Sequence, residues 1–152
     1  MEITIRVNKN SVLEEVAQKS AYIGAKTPSE DAGQYDRVST VDEDAPELIQ
    51  FFRECHVEAV RRLSAYLTRE GMDNSGTFYE MVLNVNDRFN RALVPSIELG
   101  LYEYFVYGVL AKWCVYTKSD QVQLHAQTSV EMLENLLSTI TQRTFQRKSH
   151  PF

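Results

Sequence analysis

The chain is poor in the residues that build special sites. Its 152 residues include two cysteines, six glycines, four prolines and three histidines. Two cysteines, Cys55 and Cys114, are too few for a disulfide framework, which indicates a reduced, intracellular setting. The scattered glycines form no phosphate-binding loop, and no histidine has metal-ligand spacing. We therefore expect neither a metal nor a cofactor.

Long apolar runs are also lacking. The longest apolar stretch, residues 99–116, is interrupted by Glu103 and Lys112, and residues 1–7 alternate between polar and apolar. We therefore expect no membrane span, no signal peptide and a cytoplasmic location. Hydrophobic residues make up 43% and charged residues 24%, as in one ordinary globular domain. We expect a single helical domain over residues 1–145 and a polar C-terminal tail over 146–152.

The periodicity of apolar residues predicts a mainly α fold with a small two-stranded β element. Alternating apolar residues predict strands over 2–7 and 77–85. Ser11 with Glu14 forms a capping box for a short first helix that ends near Gly24. Residues 25–41 show no period and predict a long loop. Apolar stripes predict three longer helices, which completes a three-to-four-helix bundle: 44–68, 93–117 and 120–142.

The predicted helix over 93–117 is apolar on nearly every side, so it must be covered on most of them. It is either the central helix of the bundle or part of a contact with another subunit, and we expect Trp113 to be largely buried. Its aromatic residues could form core, a subunit interface or a ligand pocket. The candidate interface residues are Tyr102, Tyr104, Phe105 and Tyr107.

Charge is unevenly distributed along the chain, whose net charge is −5. Residues 28–54 carry eight acidic and two basic side chains, and the last twelve residues carry three basic and no acidic ones. An acidic chain is a poor candidate for nucleic-acid binding. The opposed segments suit head-to-tail contacts between subunits. The interface candidates here are Asp42, Glu43 and Asp44 against Arg143, Arg147 and Lys148. The alternative is a solvated acidic loop and a basic tail.

No pattern of catalytic residues is present, so we expect no enzyme. Glu98 and Glu103 lie on the apolar helix, but their spacing points them in different directions. His56 follows Cys55 directly, and adjacent helical residues diverge by about 100°, so the two cannot chelate a metal together.

The segments "ITIRVNKNSVLEEVAQKSAYIGAK" and "YDRVSTVDEDAPELIQFF" resemble short proteins encoded in phage and prophage structural modules of gut bacteria. The shared features are the opening strand, the "A-Y-x-G-A-K" helix, the acidic start of the next helix and the aromatic helix at 101–116. The resemblance implies a virion assembly protein, such as a head–tail connector or adaptor, that forms homo-oligomers and contacts other virion proteins. The alternatives are a host regulatory or protein-binding module and a small ligand-binding bundle.

Overall fold

The computed structural model describes residues 1–26, 44–117, 120 and 122–141. These ranges form a mainly helical fold, which confirms the predicted class. The strands are β1 (Glu2–Asn8), β2 (Leu67–Met72) and β3 (Phe78–Asn84), and the helices are α1 (Lys9–Lys26), α2 (Ala45–Leu63), α3 (Val94–Thr117) and α4 (Val122–Ile140). Residues 27–41 of the predicted loop and the tail at 146–152 lie outside the described ranges.

The sheet has three antiparallel strands in the order β1-β3-β2, so the predicted small β element is present with one strand more than the two predicted. The two predicted strands are confirmed, and they pair directly with each other. Ile5 lies opposite Met81, and Val7 lies opposite Tyr79; all four are buried on the face that meets the helices. The alternation seen in the sequence therefore marks the buried face of the sheet.

The third strand, β2, begins at residues 67 and 68, where the sequence predicts the end of the second helix, and its residues 69–72 were not predicted as a strand. α2 stops at Leu63, and the amide of Tyr66 donates to the Leu63 carbonyl in a tight turn (2.9 Å). The strand reads Leu-Thr-Arg-Glu-Gly-Met, which shows no apolar alternation. It is a strand because it pairs with β3, and such pairing routinely outweighs local preference.

Two predicted helix starts need correction. The α1 helix begins at Lys9, and the side chain of Asn8, rather than Ser11, caps it by accepting from the Ser11 amide (3.1 Å). Ser11 therefore lies inside the first turn. Asp44 does precede α2, with Pro46 in the first turn, but it makes no side-chain capping bond. Its backbone is already near-helical, and a capping side chain normally requires an extended backbone.

The central helix of the fold is α3, which is one of the two positions that its apolar character on nearly every side predicted. It packs against α1, α2, α4 and β1. Trp113 is 8% exposed, which confirms its predicted burial, and the large apolar side chains that remain exposed on α3, Leu99 and Val115, lie towards its two ends. The chain itself thus covers most of this helix, so α3 does not present the large uncovered apolar surface that would favour association through it.

Among the described residues, no helix combines the length and apolar character needed to span a membrane.

Candidate functional site

The aromatic interface predicted on α3 does not form a surface patch. Tyr104 and Phe105 are 4% and 0% exposed. The Phe105 ring stacks on Phe52 with centroids 4.3 Å apart, and the Tyr104 hydroxyl donates to the Cys55 carbonyl (2.7 Å). Both residues therefore belong to the core, because a helix that is apolar all round turns most of its aromatics inward.

The other two predicted aromatics lie half-buried beside α1. The Tyr102 hydroxyl donates to the Ser11 carbonyl (3.2 Å), and the ammonium of Lys19 lies 5.4 Å from the centre of the Tyr107 ring. The Tyr107 ring also stacks against His125 of α4. These contacts join α3 to its neighbours, and a role of these two half-buried rings in an interface stays a prediction.

The predicted charged contact stays a prediction. Asp44 lies at the start of α2, whereas Asp42, Glu43, Arg143, Arg147 and Lys148 fall outside the described ranges. Glu98 and Glu103 are both half-buried on α3. Within the described ranges, no three His, Cys, Asp or Glu side chains come together as metal ligands would.

The environment of Cys55 in the core does not favour a reactive thiol. Cys55 is 3% exposed, and burial raises the pKa of its thiol to about 12. A nucleophilic cysteine has a lowered pKa and an accessible sulfur, so this environment is the opposite of a reactive one.

We therefore expect Cys55 to resist thiol reagents in the native protein. At pH 8, a pKa of 12 leaves only about one thiol in ten thousand ionised. Labelling with iodoacetamide, read by mass spectrometry on the peptide that carries Cys55, should be slow in buffer and complete in denaturant. Rapid native labelling of that peptide would show that the sulfur is accessible.

The strongest candidate site is a cleft between α2 and the β2–β3 hairpin. Its volume is about 430 Å³, within the range of small-molecule and side-chain pockets. One end is closed by Lys9, whose amide donates to the Thr77 carbonyl (2.9 Å) and so holds the start of α1 against the hairpin. The lining combines apolar and polar side chains from α1, α2, β2 and β3: Lys9, Ile49, Phe52, Arg53, His56, Val57, Gly71, Met72 and Tyr79.

A hydrogen-bonded pair bridges the two sides of this cleft. His56 Nε2 of α2 lies 2.6 Å from Glu70 Oε2 of β2, and both side chains are 28% exposed. Since Glu70 pairs with buried Met81, it projects on the helix-facing side of the sheet. A carboxylate that orients a histidine can support proton transfer, as in a catalytic dyad, or it can simply tie a helix to a strand.

The floor of the cleft holds a buried polar atom. Tyr79 is 1% exposed and its ring meets that of His56 edge-on, with centroids 4.8 Å apart. Within the described part of the chain its hydroxyl makes no hydrogen bond of good geometry, although it lies beside the Glu70 carboxylate. Burial raises the pKa of Tyr79, and the charge and nearby oxygen of Glu70 raise it further, so the hydroxyl stays protonated and able to donate. Buried hydroxyls usually make a full hydrogen bond, and this one has spare capacity to donate to a ligand oxygen.

The rim of the cleft is apolar and positively charged. Val57 is 66% exposed and Met72 is 42% exposed, and both line the cleft. Lys9 and Arg53 form no ion pair with any other described residue. Apolar side chains beside unpaired cations are typical of a surface that contacts an amphipathic partner.

A second depression, between α2 and α4, lacks these features. It is lined by Glu58, Arg61, Arg62 and Glu134, whose charges are already paired: Arg61 with Glu58 and Arg62 with Glu134. Exposed ion pairs of this kind contribute little and offer no unsatisfied group to a ligand.

The outer edge of β2 is open next to the cleft. In the described sheet β2 pairs only with β3. The Asp73 amide donates to the Phe78 carbonyl (2.8 Å), so by the alternation of an antiparallel ladder the amides of Arg69 and Gly71 also point towards β3. The backbone groups of Glu70 and Met72 then point outward, where another strand could pair with them.

Neither family models, nor curated proteins, nor solved structures give a match to this chain. What can be inferred about its function therefore rests on its own residues and geometry.

Proposed function

We propose that this chain is a non-enzymatic assembly subunit that joins copies of itself through the open edge of β2. The observation that carries the proposal is the outward-facing backbone of Glu70 and Met72 beside an apolar cleft rim. Strand addition to a sheet edge gains its affinity from backbone hydrogen bonds and its specificity from neighbouring side-chain pockets.

The geometry of the sheet decides what kind of assembly would form. Both β1 and β2 are edge strands in the order β1-β3-β2. Pairing of β2 with β2 of a second copy closes a two-fold dimer, whereas pairing of β2 with β1 of the next copy continues around a ring if the rotation allows. The ring is the form expected of a head–tail connector or adaptor, and we extend the proposal to that role in a virion, with the free subunit in the cytoplasm.

The His56–Glu70 pair fits this role as a structural tie. Glu70 lies on the edge strand, and its bond to α2 fixes that strand relative to the helical body. An edge held rigid loses less conformational entropy when a partner strand pairs with it, and such preorganisation favours binding.

We predict that Met72→Pro dissociates the assembly without unfolding the subunit. Proline lacks an amide hydrogen, and the Met72 amide points away from β3, so the substitution removes a donor only from the open edge. Light scattering across a range of protein concentrations should show the wild type at a multiple of the subunit mass and Met72→Pro at the mass of one chain.

The matched control is Met72→Ala, which shortens the side chain and keeps the amide. If backbone pairing carries the contact, Met72→Ala retains more of the assembly than Met72→Pro does. If the alanine variant dissociates as fully as the proline variant, the side chain rather than the strand edge makes the contact. A wild type that stays at the mass of one chain at every concentration rejects self-assembly, and favours the alternative of a host module that binds a different protein.

A further inference from the structure

We propose that the cleft between α2 and the β2–β3 hairpin binds a small apolar carboxylate, a function separate from self-assembly. The cleft offers four features: an apolar wall, two cations without ion-pair partners among the described residues, a hydrogen-bonded His56–Glu70 pair and the buried hydroxyl of Tyr79. Each of these restricts the ligand.

The apolar lining of the cleft favours a ligand with a hydrocarbon chain or ring. Ile49, Phe52, Val57 and Met72 line the cleft, and Val57 and Met72 stay substantially exposed at its rim. A ligand that covers them removes apolar surface from water, which is favourable by about 25 cal/mol per Å². A volume of about 430 Å³ admits a chain of several carbons or a single ring.

The charges select an anion. Lys9 and Arg53 are without ion-pair partners among the described residues, whereas the carboxylate that borders the cleft, that of Glu70, is engaged by His56 at 2.6 Å. Two cations against one carboxylate leave the net charge of the cleft positive. A planar carboxylate can bind a guanidinium through two parallel hydrogen bonds, which gives Arg53 a geometric preference for this group.

The floor adds a hydrogen-bond donor. The Tyr79 hydroxyl is buried beside the Glu70 carboxylate and makes no hydrogen bond of good geometry in the described part of the chain, and its raised pKa keeps it protonated at neutral pH. A ligand oxygen that accepts from it would satisfy a group whose burial otherwise costs free energy. The combination of cationic rim, apolar wall and neutral donor favours a monocarboxylate over phosphate, whose higher charge and hydration suit a more polar site.

The test compares octanoate with octanamide, which has nearly the same shape and no charge. Each compound is titrated into protein that is dilute enough to be monomeric, so that the result does not depend on assembly. Backbone amide chemical shifts are followed by NMR. We expect octanoate to shift His56, Gly71 and Met72, and octanamide to bind about tenfold more weakly, since it lacks the charge-assisted contact.

Two arginine variants locate the binding. Arg53 is exposed and forms no ion pair with another described residue, so Arg53→Gln should fold normally and lose about tenfold in octanoate affinity. Arg88→Gln removes the same charge from the exposed loop after β3 and should change the affinity by less than about twofold, because solvent screens distant charges. The proposal is overturned if octanoate leaves the cleft amides unshifted, if the amide binds as well as the acid, or if both variants weaken binding equally.

Discussion

Replacement of Phe105 by alanine should destabilise the protein by about 3–5 kcal/mol, the usual cost of truncating a fully buried aromatic. Phe105 is 0% exposed and sits where three elements meet: it stacks on Phe52 of α2, meets Tyr79 of β3 edge-on at 5.8 Å, and lies beside Tyr104. Alanine would leave a cavity that these rings cannot fill without losing contacts with one another. Urea unfolding followed by circular dichroism measures the change.

Leu99→Ala provides the control on the same helix. Leu99 is 57% exposed, so its truncation should cost less than about 1 kcal/mol. If Phe105→Ala unfolds as readily as Leu99→Ala does, the ring is not in the core. A Phe105 variant that keeps its stability but loses its oligomeric state would restore the interface role that the sequence suggested.

Gly108→Ala should destabilise the protein by about 1–3 kcal/mol, although alanine is normally the better helix former. A Cβ atom at this position would lie 2.7 Å from Cys55 Sγ and 3.1 Å from Ser129 Oγ, so the buried Cys55 side chain would have to shift and that of Ser129 would have to give by a few tenths of an ångström. These helices are also tied here by hydrogen bonds, since Ser129 Oγ donates to the Tyr104 carbonyl (3.1 Å). The shift would disturb the packing of α2 and α4 against α3 at this point.

Gly100 on the same helix is the matched control. A Cβ there meets nothing within 4 Å, so Gly100→Ala should stabilise the protein by about 0.5–1 kcal/mol through helix propensity alone. Cys55→Ala removes the nearer obstacle, so Gly108→Ala should cost less in that background. Equal stabilisation by both alanine substitutions would show that the three helices do not approach so closely at Gly108.

The parts of the fold that the sequence predicts are those in which periodicity and burial agree. Ile3, Ile5 and Val7 alternate and are buried in β1, and the apolar character of α3 on all sides corresponds to its central position. The predicted helix over 44–68 includes residues 67 and 68 because Tyr66 and Leu67 continue its apolar stripe, and the sequence predicts no strand over 69–72. Pairing with β3 decided otherwise, and nothing local to Leu-Thr-Arg-Glu-Gly-Met signals it.

The candidate site was missed for the same reason. His56 and Glu70 are 14 residues apart, and they meet only because α2 ends at Leu63 and the chain returns as β2. With residues 67–68 placed in a helix, there was no β2 and therefore no cleft. Conversely, the sequence makes Tyr104 and Phe105 candidates for an interface, because the apolar pattern of a helix does not show which neighbouring elements cover it. The arrangement of the helices supplies that information.

Amide hydrogen exchange at the β2 edge tests the assembly proposal most directly. In dilute protein the amides of Glu70 and Met72 should exchange quickly, whereas those of Arg69 and Gly71, which point towards β3, should be protected. At concentrations where light scattering detects the assembly, we expect the Glu70 and Met72 amides to become protected as well. Assembly that leaves these two amides exchanging as quickly as in the dilute protein would contradict the account, because the subunits would then be joined through some other surface.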